Sequence, residues 1–135
     1  MSAREDVLRR HLDAENDHDL DAIMATYAAD PFIVLNGHEI RGVEKVRLFH
    51  ERFGFGGVGS FDHVNVAERK RHVTADAIVI EQTLSGRHAG EYEGLAATGK
   101  RFNVAVCTVY RFNADGLLKS EDVYFDRARL RDQLR

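Results

Sequence analysis

The chain contains one cysteine, one proline and no apolar run of membrane-spanning length. A lone Cys107 excludes an internal disulfide and fits a reducing compartment, so the expected location is cytoplasmic. The stretch from Met1 to Asp6 has none of the apolar character of a secretory leader. Charge of one sign never accumulates: 19 Lys and Arg stand against 22 Asp and Glu, a net charge of −3. The densest basic stretch, Arg69-Lys70-Arg71-His72, lies between two strand-like segments and reads as a solvated turn. Neither nucleic acid nor a membrane is an expected partner. The seven histidines include no His-x-x-x-His or His-x-His pair with a third ligand nearby, so no metal is expected. No serine has a triad-like setting and no glycine pattern matches a phosphate loop, so no cofactor is expected either.

What is present is a 135-residue chain with 44% apolar and 30% charged residues, the composition of one folded domain spanning 1–135. Ser2 and Glu5 spell a capping box, and Val7, Leu8, His11, Leu12 and Glu15 follow on one helical stripe. His11 therefore belongs to the buried side of the first helix. Asp19 caps a second helix with Leu20, Ile23, Met24 and Tyr27 inward, expected to end at Asp30-Pro31. Phe32–Leu35 and His38–Ile40 form a hairpin around Asn36-Gly37. Gly42 opens a third helix with Val43, Val46, Phe49, His50 and Phe53 inward. Gly54–Ser60 reads as a flexible loop whose apolar residues, Phe55 and Val58, suit a lid.

The second half is strand-rich. Phe61–Arg71 has weakly defined faces, and Ala77–Ser85, Lys100–Asn113 and Leu117–Asp126 follow as an antiparallel meander. A long insert, Gly86 to Gly99, and a tight turn, Asn113–Gly116, link them. A short helix closes the chain. The expected fold class is α+β: a cone-shaped, curved antiparallel sheet with three helices closing its concave face. Such a cone leaves an apolar pocket for a small ligand. The long strands carry apolar residues at both parities, which leaves a second face to cover and predicts a homodimer through it. Cys107, between Val106 and Thr108, is expected to be buried and unreactive.

The stretch Gly86-Arg87-His88-Ala89-Gly90, then Thr98-Gly99-Lys100-Arg101, Val109-Tyr110-Arg111-Phe112, Asp115-Gly116, Val123-Tyr124-Phe125-Asp126 and Leu130 to Gln133-Leu134 resembles the SnoaL-like polyketide cyclase group. That group belongs to the nuclear-transport-factor-2-like, or ketosteroid-isomerase-like, superfamily. The resemblance covers nearly the whole chain and implies the fold more than the chemistry. In the isomerases a helix 1 tyrosine and a strand acid form the oxyanion hole; their positions are similar to His11 and Thr108 here. The isomerase base falls near Ile33 or Val34, where no acid stands. The cyclase histidine again aligns with Thr108 and the cyclase aspartate with Val123, one residue from Asp122. In epoxide hydrolases of the fold a tyrosine precedes an asparagine by two residues. Asn36 fits the asparagine, Val34 replaces the tyrosine, and Lys100–Asn113 holds no Arg-x-Asp pair.

The resemblance implies a cofactor-independent cyclase, isomerase or lyase acting on a small apolar carbonyl compound. Glu121 shares strand parity with Val123 and Phe125, the parity that faces the pocket in the resembling enzymes; the opposite parity would turn Asp122 and Tyr124 inward. On the first reading Glu121 carries the proton and His11 stabilises the developing oxyanion. Tyr27, Asn36, Thr108 and Tyr110 join them on the pocket wall, with His88 at its mouth. Each has a plainer role as well: Asn36 is what an Asn-Gly hairpin needs, Thr108 is an ordinary β-branched strand residue, and His88 suits an exposed loop. The alternatives are a non-catalytic module that binds a hydrophobic ligand, and a dimerisation module with a filled cone. An open cone with His11 and Glu121 converging favours the enzyme.

Overall fold

A computed structural model describes residues 2–135. The element order is α1 (Ala3–Asn16), α2 (Leu20–Met24), β1 (Tyr27–Leu35), β2 (His38–Arg41), α3 (Val43–Phe53), β3 (Phe61–Val73), β4 (Ala77–His88), β5 (Arg101–Phe112), β6 (Leu118–Phe125) and α4 (Arg127–Leu134). The six strands make one curved, open sheet in the order β2-β1-β6-β5-β4-β3, and the fold is α+β of the ketosteroid-isomerase-like kind. From β3 to β6 the strands pair antiparallel in sequence order, as their patterning and the Asn113–Gly116 turn require. One pairing departs from the antiparallel expectation. β1 lies parallel to β6, because α3 and the meander carry the chain around the sheet before β6 returns beside β1.

The helix starts follow their caps. Ser2 Oγ accepts from the Glu5 amide at 3.2 Å, and the Asp19 and Asp126 carboxylates accept from Ala22 and Arg129. Asn36 and Gly37 both take positive φ, +47° and +87°, the conformation a two-residue hairpin demands. The second helix is shorter than predicted. It stops at Met24, and Tyr27 belongs to β1 rather than to a helical stripe. Asp30-Pro31 does not end a helix; it sits where the β1–β6 register shifts between Tyr27 and Phe32, a place where a missing amide donor costs no ladder bond.

Leu8, Ile23, Ile33, Val46, Ile78, Ile80, Leu118 and Leu130 form the centre of the core between helices and sheet. Val43, expected inward on α3, is 47% exposed, whereas Val46 and His50 are buried. The 54–60 loop is tied down rather than flexible. The Phe55 amide donates to His50 O at 3.0 Å, the Ser60 amide to Arg52 O at 2.8 Å, and Ser60 O accepts from Ala89 and Gly90. At Gly54, φ is +127° and a Cβ would stand 1.9 Å from Phe61 O, so only glycine fits. Phe55 packs inward against Phe53, while Val58 is 77% exposed and covers nothing. Cys107 is half-buried instead of buried. It lies on the sheet face turned away from the helices, level with Glu81 and Tyr124 on the neighbouring strands. No helix among the described residues is long and apolar enough to cross a membrane.

Candidate active site

The concave face of the sheet holds a cavity of about 240 Å³, a little below the roughly 300–1,000 Å³ of drug-sized sites. One end is aromatic, walled by Phe49, Phe53, Phe55 and Tyr92. The other is polar and is built by strand alternation and helix spacing. On β4, β5 and β6, Gln82, Thr108, Tyr110 and Glu121 point inward because their apolar neighbours at the same parity belong to the core. From the helices, Glu15 and His50 reach the same end. His11 lies one helical turn before Glu15 on α1, fully buried behind the cavity wall.

The hydrogen bonds place a proton on Nδ1 of both histidines. Thr26 Oγ1 gives its only proton to Ile23 O at 2.6 Å, so it accepts from His11 Nδ1 at 2.8 Å. His50 Nδ1 donates to Val46 O at 2.8 Å. Both rings therefore present Nε2 to the polar end. His11 Nε2 lies 3.6 Å from Glu15 Oε2 and 3.6 Å from Glu121 Oε1, with no direct hydrogen-bond partner. His50 Nε2 lies 3.8 Å from Glu15 Oε2. The Tyr27 hydroxyl donates to Glu121 Oε2. Tyr110 accepts from Gln82 Nε2 at 2.8 Å, and Thr108 donates to Gln82 Oε1 at 3.2 Å. Gln82 thereby occupies an acceptor site of Tyr110 and leaves the phenol proton free to donate into the cavity.

The two histidines shift in opposite directions. Burial pushes His11 down, but the fields of Glu121 and Glu15 outweigh it and raise the imidazole from 6.5 to about 10. Burial dominates at His50, which falls to about 4; Glu15 and the Val46 carbonyl oppose that shift and His11 adds to it. At neutral pH, His11 is an imidazolium and His50 is neutral with its lone pair on Nε2. Burial also raises the Tyr110 phenol well above its ordinary range, so it is a donor and not a phenolate.

Of the residues singled out from sequence, Glu121, Thr108 and Tyr110 line the cavity. Tyr27 and His11 stand directly behind Glu121, one holding each carboxylate oxygen. His11 does not line the cavity, whereas the Tyr110 hydroxyl does. Asn36 is absent from the wall. Its amide donates to Val123 O and its Oδ1 accepts from the Phe125 amide, which fastens the hairpin to β6. His88 is not at the mouth either. It is fully buried at the end of β4 against Phe61, with Nδ1 3.0 Å from Thr98 Oγ1. Three residues of the site escaped the sequence reading: Glu15, His50 and Gln82. The first two carry the signal that marked His11, a polar residue on an apolar helical stripe, and Gln82 is the lone amide of the apolar β4. Ligand spacing within one helix could not reveal that His11, Glu15 and His50 offer three donor atoms within 4.8 Å of one another, because His50 comes from another helix.

Residues 8–121 match the SnoaL-like domain family model, and the chain belongs to that family. No functionally curated protein matches the sequence. Among solved structures, a candidate polyketide cyclase from Pseudomonas putida KT2440 superposes with a TM-score of 0.86 at 19% identity, covering 100% of this chain and 99% of the other. One from Xanthomonas campestris pv. campestris gives 0.86 at 18% identity, covering 98% and 97%. A ketosteroid isomerase-like protein from Catenulispora acidiphila, in complex with trimethylamine, gives 0.77 at 19% identity, covering 95% and 91%. At such identities the likeness is one of fold.

Proposed function

We propose that this SnoaL-like domain is an isomerase- or lyase-type enzyme that moves a proton on a small, largely apolar carbonyl compound. The observation that carries the reading is a carboxylate in the wall of an apolar cavity, Glu121, gripped from behind by Tyr27 and facing the His11 ring at 3.6 Å. The aromatic end takes the apolar body of the ligand and aligns its carbonyl with Tyr110. Glu121 removes a proton from the carbon next to the carbonyl. Tyr110 donates to the oxygen as negative charge develops there, and the proton is then returned or a leaving group departs. A phenol kept dry and preoriented by Gln82 suits that task.

Tyr27 and the His11 imidazolium hold Glu121 in place. A carboxylate base suits carbonyl compounds whose C–H is already acidified by a second carbonyl or an aromatic ring. The test is exchange of such ligands in heavy water. Wild type should catalyse deuterium uptake at the activated carbon, and Glu121→Gln should bind but not exchange. Ligand binding without exchange by wild type favours the second reading, a binding module. The lack of an acid at Ile33, Val34 and Val123 supports that alternative. We also infer that the chain pairs through the outer sheet face, where Val79, Cys107 and Val109 are half-exposed and Tyr124 is 49% exposed. Light scattering at micromolar concentration should give the mass of a dimer, and a monomer mass would remove this claim.

A further inference from the structure

We propose that His11, Glu15 and His50 form a binding site for one divalent first-row transition metal ion, with its open coordination position facing the cavity. The inference goes beyond the proton chemistry, which uses the chain's own side chains. It starts from geometry: one ligand atom from each of the three buried residues lies within 4.8 Å of the other two. His50 commits Nδ1 to Val46 O, which turns Nε2 toward a Glu15 carboxylate oxygen 3.8 Å away. On the other side, His11 Nε2 is fully buried without a hydrogen-bond partner and points at the same carboxylate from 3.6 Å. A single cation between the three atoms satisfies all of them.

Distances and chemistry agree with that occupant. Zinc takes histidine nitrogen and carboxylate oxygen at roughly 2.0–2.2 Å, so neighbouring ligand atoms in a tetrahedral site stand about 3.3–3.5 Å apart. The two histidine–carboxylate separations, 3.6 and 3.8 Å, need to close by a few tenths of an ångström, and the two histidine nitrogens, within 4.8 Å of each other, must close further. The supporting shell is of the kind metal-binding histidines use: each ring donates its far N–H to an oxygen, Thr26 Oγ1 or Val46 O, which fixes the ring and aims Nε2. Two histidines and one carboxylate leave a coordination position open. Glu15 and His50 line the cavity, so that position opens toward the ligand end, beside Glu121.

The test is calorimetric titration of chelator-stripped protein with zinc chloride, read together with metal content after dialysis. One zinc per chain is expected, with affinity falling about 10- to 100-fold in Thr26→Val, which removes the oxygen that holds His11. His50→Gln and Glu15→Gln should abolish stoichiometric binding. His72→Ala, which removes an exposed histidine 2.8 Å from Glu81, should leave binding unchanged. Zinc lost with His72→Ala, or retained unchanged in His50→Gln, would overturn the proposal. A second readout uses wild type alone, in case the buried variants do not fold: zinc should shift the Nε2 nitrogen resonances of His11 and His50 and spare the other five histidines. Shifts confined to those five, or no stoichiometric binding, would contradict it. No readout involves substrate, so failure of the metal site leaves the proton-transfer reading standing, and the converse holds.

Discussion

The two ends of the cavity are held together in different ways. The aromatic end is a stack: Phe53 lies 5.3 Å from Phe55 and 4.8 Å from Phe61, and Phe61 is 4.7 Å from Phe102. Each ring adds area and dispersion, so losses there should be graded and roughly independent of ionisation. The polar end is a coupled set in which Glu15 serves two histidines and Glu121 serves a histidine and a tyrosine. Removing one member leaves others buried without partners, so effects there should depend on pH and be non-additive. On the proposed reading the aromatic end sets what fits and the polar end sets what happens to it.

The largest expected effect is on chemistry. Glu121→Gln should lower any turnover by about 100- to 10,000-fold while ligand affinity changes little. Phe61→Ala should do the opposite kind of damage, lowering unfolding free energy by about 3–5 kcal/mol in a denaturant titration, since the ring is fully buried among four other rings. Equal pH sensitivity of both variants would dissolve the distinction between the ends. Next comes Tyr27→Phe. It removes a hydrogen bond to a charged group and should cost about 1.5–3 kcal/mol, and its double-mutant cycle with Glu121→Gln should be far from additive. Additive losses would mean the polar end is not coupled.

The pH profile of metal-free stability is a subtler test. His11 has a folded value of about 10 against 6.5 ordinarily, so its contribution is fully present below 6.5 and is lost as the pH rises from there through about 10. His50 has a folded value of about 4, so its contribution is present above 6.5 and is lost as the pH falls from there through about 4. Melting temperatures should thus decline on both sides. His11→Gln should flatten the alkaline side and His50→Gln the acid side. The smallest effect belongs to Val58→Ser on the exposed loop, within about 0.5 kcal/mol of wild type. A larger change would show that Val58 covers something after all.

Much of the fold was legible because the local signals agree with the tertiary structure. Asn36-Gly37, the Asn113–Gly116 turn and the caps at Ser2 and Asp19 all do what their chemistry suggests. The second helix misled because Asp-Pro marks a helix end and a strand irregularity equally well; Tyr27 moved with it. At the site, a periodic stripe and strand parity sufficed to bring His11 and Glu121 toward one place. Neither rule shows that two helices cross so that His50 meets Glu15, since that depends on packing angle rather than spacing. Cys107 and His88 were misjudged for the same reason in reverse. Their burial depends on what covers each patch: the chain's own helices leave the outer sheet face at Cys107 half-exposed, while Phe61 and the 98–100 segment enclose His88.

The account rests on one charged and one neutral histidine at the polar end, their centroids 6.3 Å apart. Long-range proton–nitrogen correlation spectra of the chelator-treated protein at pH 7 read both directly. The expected result is an imidazolium at His11, with protons on both ring nitrogens, and a neutral His50 protonated on Nδ1 only. A neutral His11, or a His50 protonated on both nitrogens, would contradict it.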